Sequence, residues 1–426
     1  MIYDYFVTFV LAGLALTGAY AFGRRPGFPF SANLLVAAVA LRIVGAGIRY
    51  WIIFGFYGGF GDAVRYYLVG QRYAAAIWSG QTFPLSPSYW APGGGWWGTP
   101  FLERLSGLVL TFLGPAMRAE FLAFALLGFV GLYLITVSLL RTQLPAAIRR
   151  RVAPVLWFWP SLWFWPSSIG KEAILLLAIG LTTFGYVGRR NAIAWIPFAM
   201  GIGLAFCLRP HIAVVLALAA AGAHWMGGWD RVTPRRLVEA LVALVTAGLV
   251  IVGMLTQFDL VDADLEGITE FVEYRSEQTL EGGSSVGTVP LSPVGLPLAL
   301  GNVWLRPFPW EVHNATAAMA AGEVLLFWGL VLWRRRAVAM ALRRWRRHRL
   351  LRFGLPLLVA YTLMIGFTFA NLGIIARQRA PMFAFFLLLP TAAPDRLRDA
   401  RPEMARRRRE PRWRTTSLEP PPRSIP

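Results

Sequence analysis

The chain has 426 residues and a single cysteine, Cys207. One thiol excludes an internal disulfide framework and a cysteine-built zinc site. Charge is scarce too: 15% of the residues are charged, where soluble domains carry about 25%. Carboxylates are scarcer than cations, 22 against 42, for a net charge of +20. Lysine is all but missing, with Lys171 standing alone among arginines. Against this, 56% of the chain is hydrophobic. Such a balance, in long apolar runs, excludes a soluble one-core enzyme, a disulfide-stapled secreted module and a disordered scaffold. It fits a polytopic, all-α membrane protein.

The positive surplus does not call for nucleic acid. The arginines sit in short clusters between apolar runs, as they do in cytoplasmic loops. A spanning helix needs about 20 apolar residues. Candidate spans run over 4–23, 31–56, 120–140, 152–167, 169–187, 192–208, 212–228, 237–256, 319–333, 353–371 and 380–391, about eleven in all. Segment 103–116 reads as a further span or a re-entrant piece. With eleven spans, Arg24/Arg25, Arg149–Arg151, Arg189/Arg190, Arg231/Arg235/Arg236, Arg334–Arg336 with Arg343–Arg349, and the tail all fall on one side. The positive-inside rule makes that side the cytoplasm and puts the N-terminus outside. Ala19-Tyr20-Ala21 has no basic region before it, so the first segment reads as an uncleaved span. Residues 1–391 form the transmembrane domain, with outer loops at 57–118 and 257–318. Residues 392–426, rich in Arg and Pro, read as a disordered basic cytoplasmic tail that serves topology or contacts anionic lipid heads.

The opposite side collects the unusual residues. Asp62, Arg65 and Tyr66 lie at helical spacing in an amphipathic stretch after the second span. An aromatic, glycine-rich loop follows, with Tyr89-Trp90 and Gly93 to Trp97. It suits stacking on sugar rings or an interfacial aromatic belt. Trp163 to Pro166 ends a short span, and Lys171-Glu172 opens the next helix. Amides at a helix start seat anions, and a lysine there adds charge. Arg209-Pro210-His211 joins two spans; the proline permits a break, and a histidine works as acid or base at neutral pH. Arg306-Pro307-Phe308-Pro309-Trp310-Glu311 holds Arg306 and Glu311 at a fixed separation. His313 and Asn314 follow closely. Arg377 and Arg379, read as lying in a loop between spans, break the rule that arginine stays inside. Bidentate pairing with phosphate or with loop carboxylates would explain them. Arg42 and Arg49 share one face of the second span and either pair in the bundle or reach in from the outer site. Asp262-Ala263-Asp264 is a DxD triplet inside an acidic run. A solvated helix face is favoured there over a divalent metal site.

Converging cations on one side would bind a polyanionic group at the membrane surface. A nearby carboxylate or histidine could deprotonate a sugar hydroxyl, and arginines could stabilise a departing phosphate. At these residues the chain resembles the polytopic bacterial glycosyltransferases of the GT-C type and related surface-polysaccharide polymerases and ligases. The likeness rests on Gly61 to Tyr67, Ser168 to Glu172, Arg209 to His211, Arg306 to Glu311 and Arg377 to Arg379. It departs from the family in having a single early acid, Asp62, after the second span, and no large periplasmic domain. The resemblance implies an outward-facing site in the bacterial plasma membrane and a polyprenyl-phosphate-linked sugar donor with a glycan acceptor. Membrane lipids and envelope-biosynthesis proteins are the further partners, and no cofactor is expected. It implies Asp62, Glu172, His211 and Glu311 as catalytic residues. Arg65, Tyr66, Lys171, Arg209, Arg306, Trp310, Arg377 and Arg379 would hold substrate. A transporter of a lipid-linked glycan and a non-catalytic envelope subunit are the alternatives.

Overall fold

A computed structural model describes residues 1–80, 96–141, 146–188, 192–226, 234–280 and 284–391. These fold into helices α1 (Ile2–Gly23), α2 (Ala32–Trp51), α3 (Asp62–Trp78), α4 (Thr99–Leu113), α5 (Met117–Leu140), α6 (Ala146–Phe158), α7 (Pro160–Phe164), α8 (Lys171–Gly188) and α9 (Trp195–Leu208). They continue with α10 (Pro210–Trp225), α11 (Pro234–Gln257), α12 (Leu265–Glu277), α13 (Gly295–Trp304), α14 (Ala315–Trp333), α15 (Arg335–Arg344), α16 (Arg349–Thr368), α17 (Leu372–Phe386) and α18 (Leu388–Thr391). Among the described residues the only β pairing is an isolated bridge between Ser285 and Asn371. The chain is an all-α membrane helical bundle.

Among the described residues, seven helices are long and apolar enough to cross a bilayer: Ile2–Gly23, Ala32–Phe56, Met117–Leu140, Lys171–Gly188, Ala315–Trp333, Arg349–Thr368 and Leu372–Thr391. The expected count of eleven is not confirmed by these seven. Among the described residues, Trp195–Leu208 and Pro210–Trp225 are shorter apolar helices, and Leu244–Gln257 is an apolar stretch of α11. The segment expected at 152–167 is broken at Trp159, whose extended backbone separates α6 from α7. Pro160 opens α7 there, and a residue before proline is pushed out of the helical region. Segment 103–116 becomes α4, a 15-residue helix packed on amphipathic α3. Small residues make that pairing close: a Cβ on Gly107 would stand 2.5 Å from the Tyr73 Cβ.

One apolar core runs from Ala19 to Leu389. Its centre is α8, flanked by α5 and α9. Glycines let these backbones touch. A Cβ on Gly180 of α8 would lie 2.2 Å from the Gly131 carbonyl oxygen of α5. A Cβ on Gly201 of α9 would lie 2.5 Å from the Ala178 carbonyl oxygen.

The ends of the bundle differ in charge partners. At one end, Arg349 donates to the Val187 carbonyl at 2.7 Å and Arg334 to the Pro390 carbonyl at 3.1 Å. Arg141 lies over Phe184 at 3.7 Å at that same end of α8. At the other end, Asp4 accepts from the backbone and side chain of Arg118 at 2.9 and 2.8 Å. The unusual polar residues gather at this second end. The aromatic loop up to Gly95 and the expected disordered tail at 392–426 lie outside the described residues.

Candidate functional site

Four helices begin at the same place. α3 starts at Asp62, α4 at Thr99, α8 at Lys171 and α10 at Pro210. Each start presents amides without partners inside its helix and the positive end of a helix dipole. Local sequence explains the starts. Gly61 and Gly98 precede α3 and α4 with φ of 141° and 71°, angles that L side chains rarely adopt. Gly98 also donates its amide to the Cys207 carbonyl at 2.7 Å, stitching α4 to the end of α9. Arg209 is extended (φ −155°, ψ 90°), and Pro210 opens α10.

Side chains from α3, α8, α10's N-cap and α17 meet in this setting. Glu172 Oε1 accepts from Arg377 Nε at 2.7 Å and from an Arg209 terminal nitrogen at 3.3 Å. The remaining Arg209 contact is a hydrogen bond to Gln378. Arg377 also reaches Asp62 at 4.0 Å. The Glu172 side chain is nearly covered, whereas that of Asp62 is 67% exposed. Lys171 Nζ donates to Thr99 Oγ1 at 3.1 Å. Burial, with the Asp62 and Glu172 carboxylates nearby, pushes the Tyr66 phenol up to about 12, so it stays protonated at neutral pH. Arg49 approaches from α2, its guanidinium over Phe164 at 5.0 Å and Trp165 at 5.3 Å. Lys171, Arg209 and Arg377 outnumber Glu172 and Asp62, and the helix starts add positive potential. The cluster therefore carries a net positive charge.

A second cluster lies across α17. Arg306 Nε donates to Glu311 Oε1 at 2.8 Å, and the Phe308 amide donates to Oε2 at 2.7 Å. These hydrogen bonds, that from Arg306 foremost, hold the Glu311 carboxyl below the usual glutamate range. Trp310 is 79% exposed and stacks on Phe308 at 4.8 Å.

The remaining predicted residues make other contacts. Arg65 pairs with buried Glu103 of α4 at 2.9 Å. His211 sits in the first turn of α10 beside Arg209, with its ring 6.4 Å from Phe258. The reading of 371–379 as a loop is corrected: Asn371 caps α17 through the amides of Gly373 and Ile374, and both arginines are helical. Two residues apart on a helix, they face different ways. Arg379 is fully buried and donates to the Val303 and Arg306 carbonyls, both at 2.6 Å. Asp264 caps α12 by accepting from the Gly267 amide at 2.8 Å, while Asp262 is exposed.

Sequence reasoning missed Thr99, Gln378 and Gly98, which are uncharged and far from their partners along the chain. It placed Arg42 in the bundle without its partner, and it missed the buried carboxylates Glu323 and Glu120. Arg42 is fully buried and donates to the Trp157 carbonyl at 3.1 Å, beside the α6–α7 break. Glu323 accepts from the Ser161 amide at 2.8 Å, across the same break. With Arg379 on the end of α13, these charges satisfy backbone groups that broken helices leave at membrane depth. Glu120 is also buried and accepts from Ser106 Oγ at 2.6 Å. No known protein family, curated protein or solved structure matches the chain.

Proposed function

We propose that the chain is a membrane glycosyltransferase or polysaccharide polymerase, in the manner of the GT-C enzymes it resembles. It takes sugar from a polyprenyl-phosphate-linked donor and passes it to a glycan acceptor. The reaction takes place on the extracytoplasmic face of a bacterial plasma membrane, with the N-terminus outside and the basic tail in the cytoplasm. The observation that carries this reading is the gathering of Lys171, Arg209 and Arg377 around Glu172 at four helix starts, with an accessible carboxylate, Asp62, at its edge.

In this reading the donor phosphate sits on Lys171, Arg377 and the helix-start amides. Their charge stabilises the negative charge that grows on the leaving phosphate as the sugar departs. Glu172 holds the two arginines in place. Asp62, exposed and close to Arg377, takes the proton from the acceptor hydroxyl as that oxygen attacks. Tyr66 keeps its proton beside Asp62 and Glu172. Trp310 and the Arg306–Glu311 pair border the acceptor side.

The test is cellular. The gene is deleted and replaced by wild type, Asp62→Asn or Lys171→Ala, with equal expression checked. Polyprenyl-linked intermediates and surface glycans are then profiled by mass spectrometry. Accumulation of a lipid-linked sugar outside, with loss of mature glycan in both variants, supports the reading. Normal glycan in both overturns it, and accumulation confined to the cytoplasmic leaflet shows a transporter instead.

A further inference from the structure

Beside the second cluster lies a serine–histidine pair that the proposed transfer does not use. Ser284 Oγ and His313 Nε2 are 2.9 Å apart. His313 Nδ1 lies 3.0 Å from the Glu311 carbonyl oxygen. A carbonyl only accepts, so Nδ1 carries the ring proton and donates to it. Neutral His313 then presents a lone pair at Nε2, and the Ser284 hydroxyl donates to it. A backbone carbonyl thus fixes the tautomer, as the third member of a nucleophile–base arrangement does.

Both partners are held. The Ser284 carbonyl accepts from the Leu372 amide at 3.0 Å, and Ser285 bridges Asn371. On the other side, Glu311 is fastened by Arg306 and the Phe308 amide. The pair lines a cavity of about 40 Å³, together with Trp165, Asn314, Thr316 and Leu372. That volume takes roughly three waters, which suits a short acyl group and excludes a long chain. The cavity opens at the start of α14. Asn314 Oδ1 accepts from the Ala317 amide and the Thr316 hydroxyl, both at 2.8 Å. The amides of Ala315 and Thr316 precede any possible partner within α14.

We propose that Ser284 and His313 form an esterase centre for short-chain carboxylic esters, acetyl esters of membrane-surface sugars being the class that fits. Ser284 Oγ attacks the ester carbonyl carbon while its proton passes to His313 Nε2. The tetrahedral oxyanion collapses, the C–O bond to the alcohol breaks, and the leaving oxygen takes the proton from Nε2. Water then attacks the acyl-serine in the same way. The carboxylic acid leaves and Ser284 is restored. One ester and one water give one acid and one alcohol, with no redox change.

The test uses the full chain purified in detergent, with a fluorophosphonate probe and p-nitrophenyl acetate. The expected result is probe attached to Ser284, located by peptide mass spectrometry, and acetate release above that of empty micelles. Ser284→Ala abolishes both, His313→Gln slows both by about 10²-fold or more, and Ser285→Ala keeps the label. Monodisperse elution of each variant shows that it is folded. Absence of label on folded wild type overturns the proposal, as does labelling in His313→Gln within threefold of wild type. Neither readout depends on sugar transfer, so this centre and the proposed transferase stand or fall separately.

Discussion

Arg377 Nε donates to Glu172 Oε1 at 2.7 Å, across 205 residues of chain, and so ties the second turn of α17 to the first turn of α8. The same oxygen accepts from Arg209 at 3.3 Å. One covered carboxylate thus holds two guanidiniums that would otherwise repel. Removing it leaves Arg377 with exposed Asp62 and Arg209 with neutral Gln378, which costs less than the roughly 3–5 kcal/mol of breaking a fully buried pair. Glu172→Gln should therefore lower the thermal unfolding midpoint in detergent. Glu172→Leu combined with Arg377→Met should unfold at a higher temperature than Glu172→Leu alone. If the double variant is the less stable, the pair does not organise the site.

Asp62 stands in contrast. Its side chain is 67% exposed and lies 4.0 Å from Arg377, a separation worth little to stability at the surface. Asp62→Asn should leave the unfolding midpoint unchanged within a degree or so, yet abolish glycan formation. A variant that is both stable and active would remove Asp62 from the chemistry.

How far the sequence discloses this arrangement depends on the kind of residue. Arg209-Pro210-His211 is legible because the proline marks the break and the charges mark its side. Lys171 is legible because it has no other lysine beside it. Asn371 to Arg379 is misleading, since hydropathy treats arginine as the end of a span. Here Glu172 neutralises Arg377, and helix-end carbonyls absorb Arg379, so the helix starts eight residues earlier than its apolar run suggests. Thr99 and Gln378 carry no charge and meet their partners only through the fold. The same holds for Arg42, whose Trp157 carbonyl partner exists because α6 stops there.

The α5–α8 contact supports the site from below. A Cβ on Gly180 would stand 2.2 Å from backbone oxygen, which cannot move aside as a flexible side chain would. Gly180→Ala must push the two helices apart, at about 1–3 kcal/mol for overpacking. A lowered unfolding midpoint is expected, with a larger fall for Gly180→Val. Gly203 has open space around its α-carbon, so Gly203→Ala should be tolerated. Equal effects at the two positions would argue against close helix contact.

Metal removal gives a further expectation. Asp264 spends one carboxylate oxygen on the Gly267 amide at 2.8 Å, and in the proposed transfer Lys171 and Arg377 would supply the charge for a leaving phosphate. Sugar transfer should survive EDTA. Loss restored by Mg²⁺ or Mn²⁺ would put Asp262 and Asp264 back in contention. Asp264→Ala should cost about 1 kcal/mol as a lost helix cap, without altering transfer.

The Arg306–Glu311 turn should respond to acid alone. Hydrogen bonds from Arg306 hold the Glu311 carboxyl below its ordinary value. A carboxyl with a depressed folded value contributes its stabilisation fully above the ordinary glutamate value of about 4.3. That contribution is lost as pH falls through the folded value. Protonation weakens the hydrogen bonds from Arg306 and Phe308, and with them the seat of the Trp310–Phe308 stack. Trp310 can be read by fluorescence difference against a Trp310→Phe variant. Its signal should stay constant from neutral pH down to about 4.3 and change only below. Glu311→Gln should give the acid-form signal already at neutral pH. A transition centred near neutrality, or one that persists in Glu311→Gln, would assign the titration to another group and leave the turn held by its prolines.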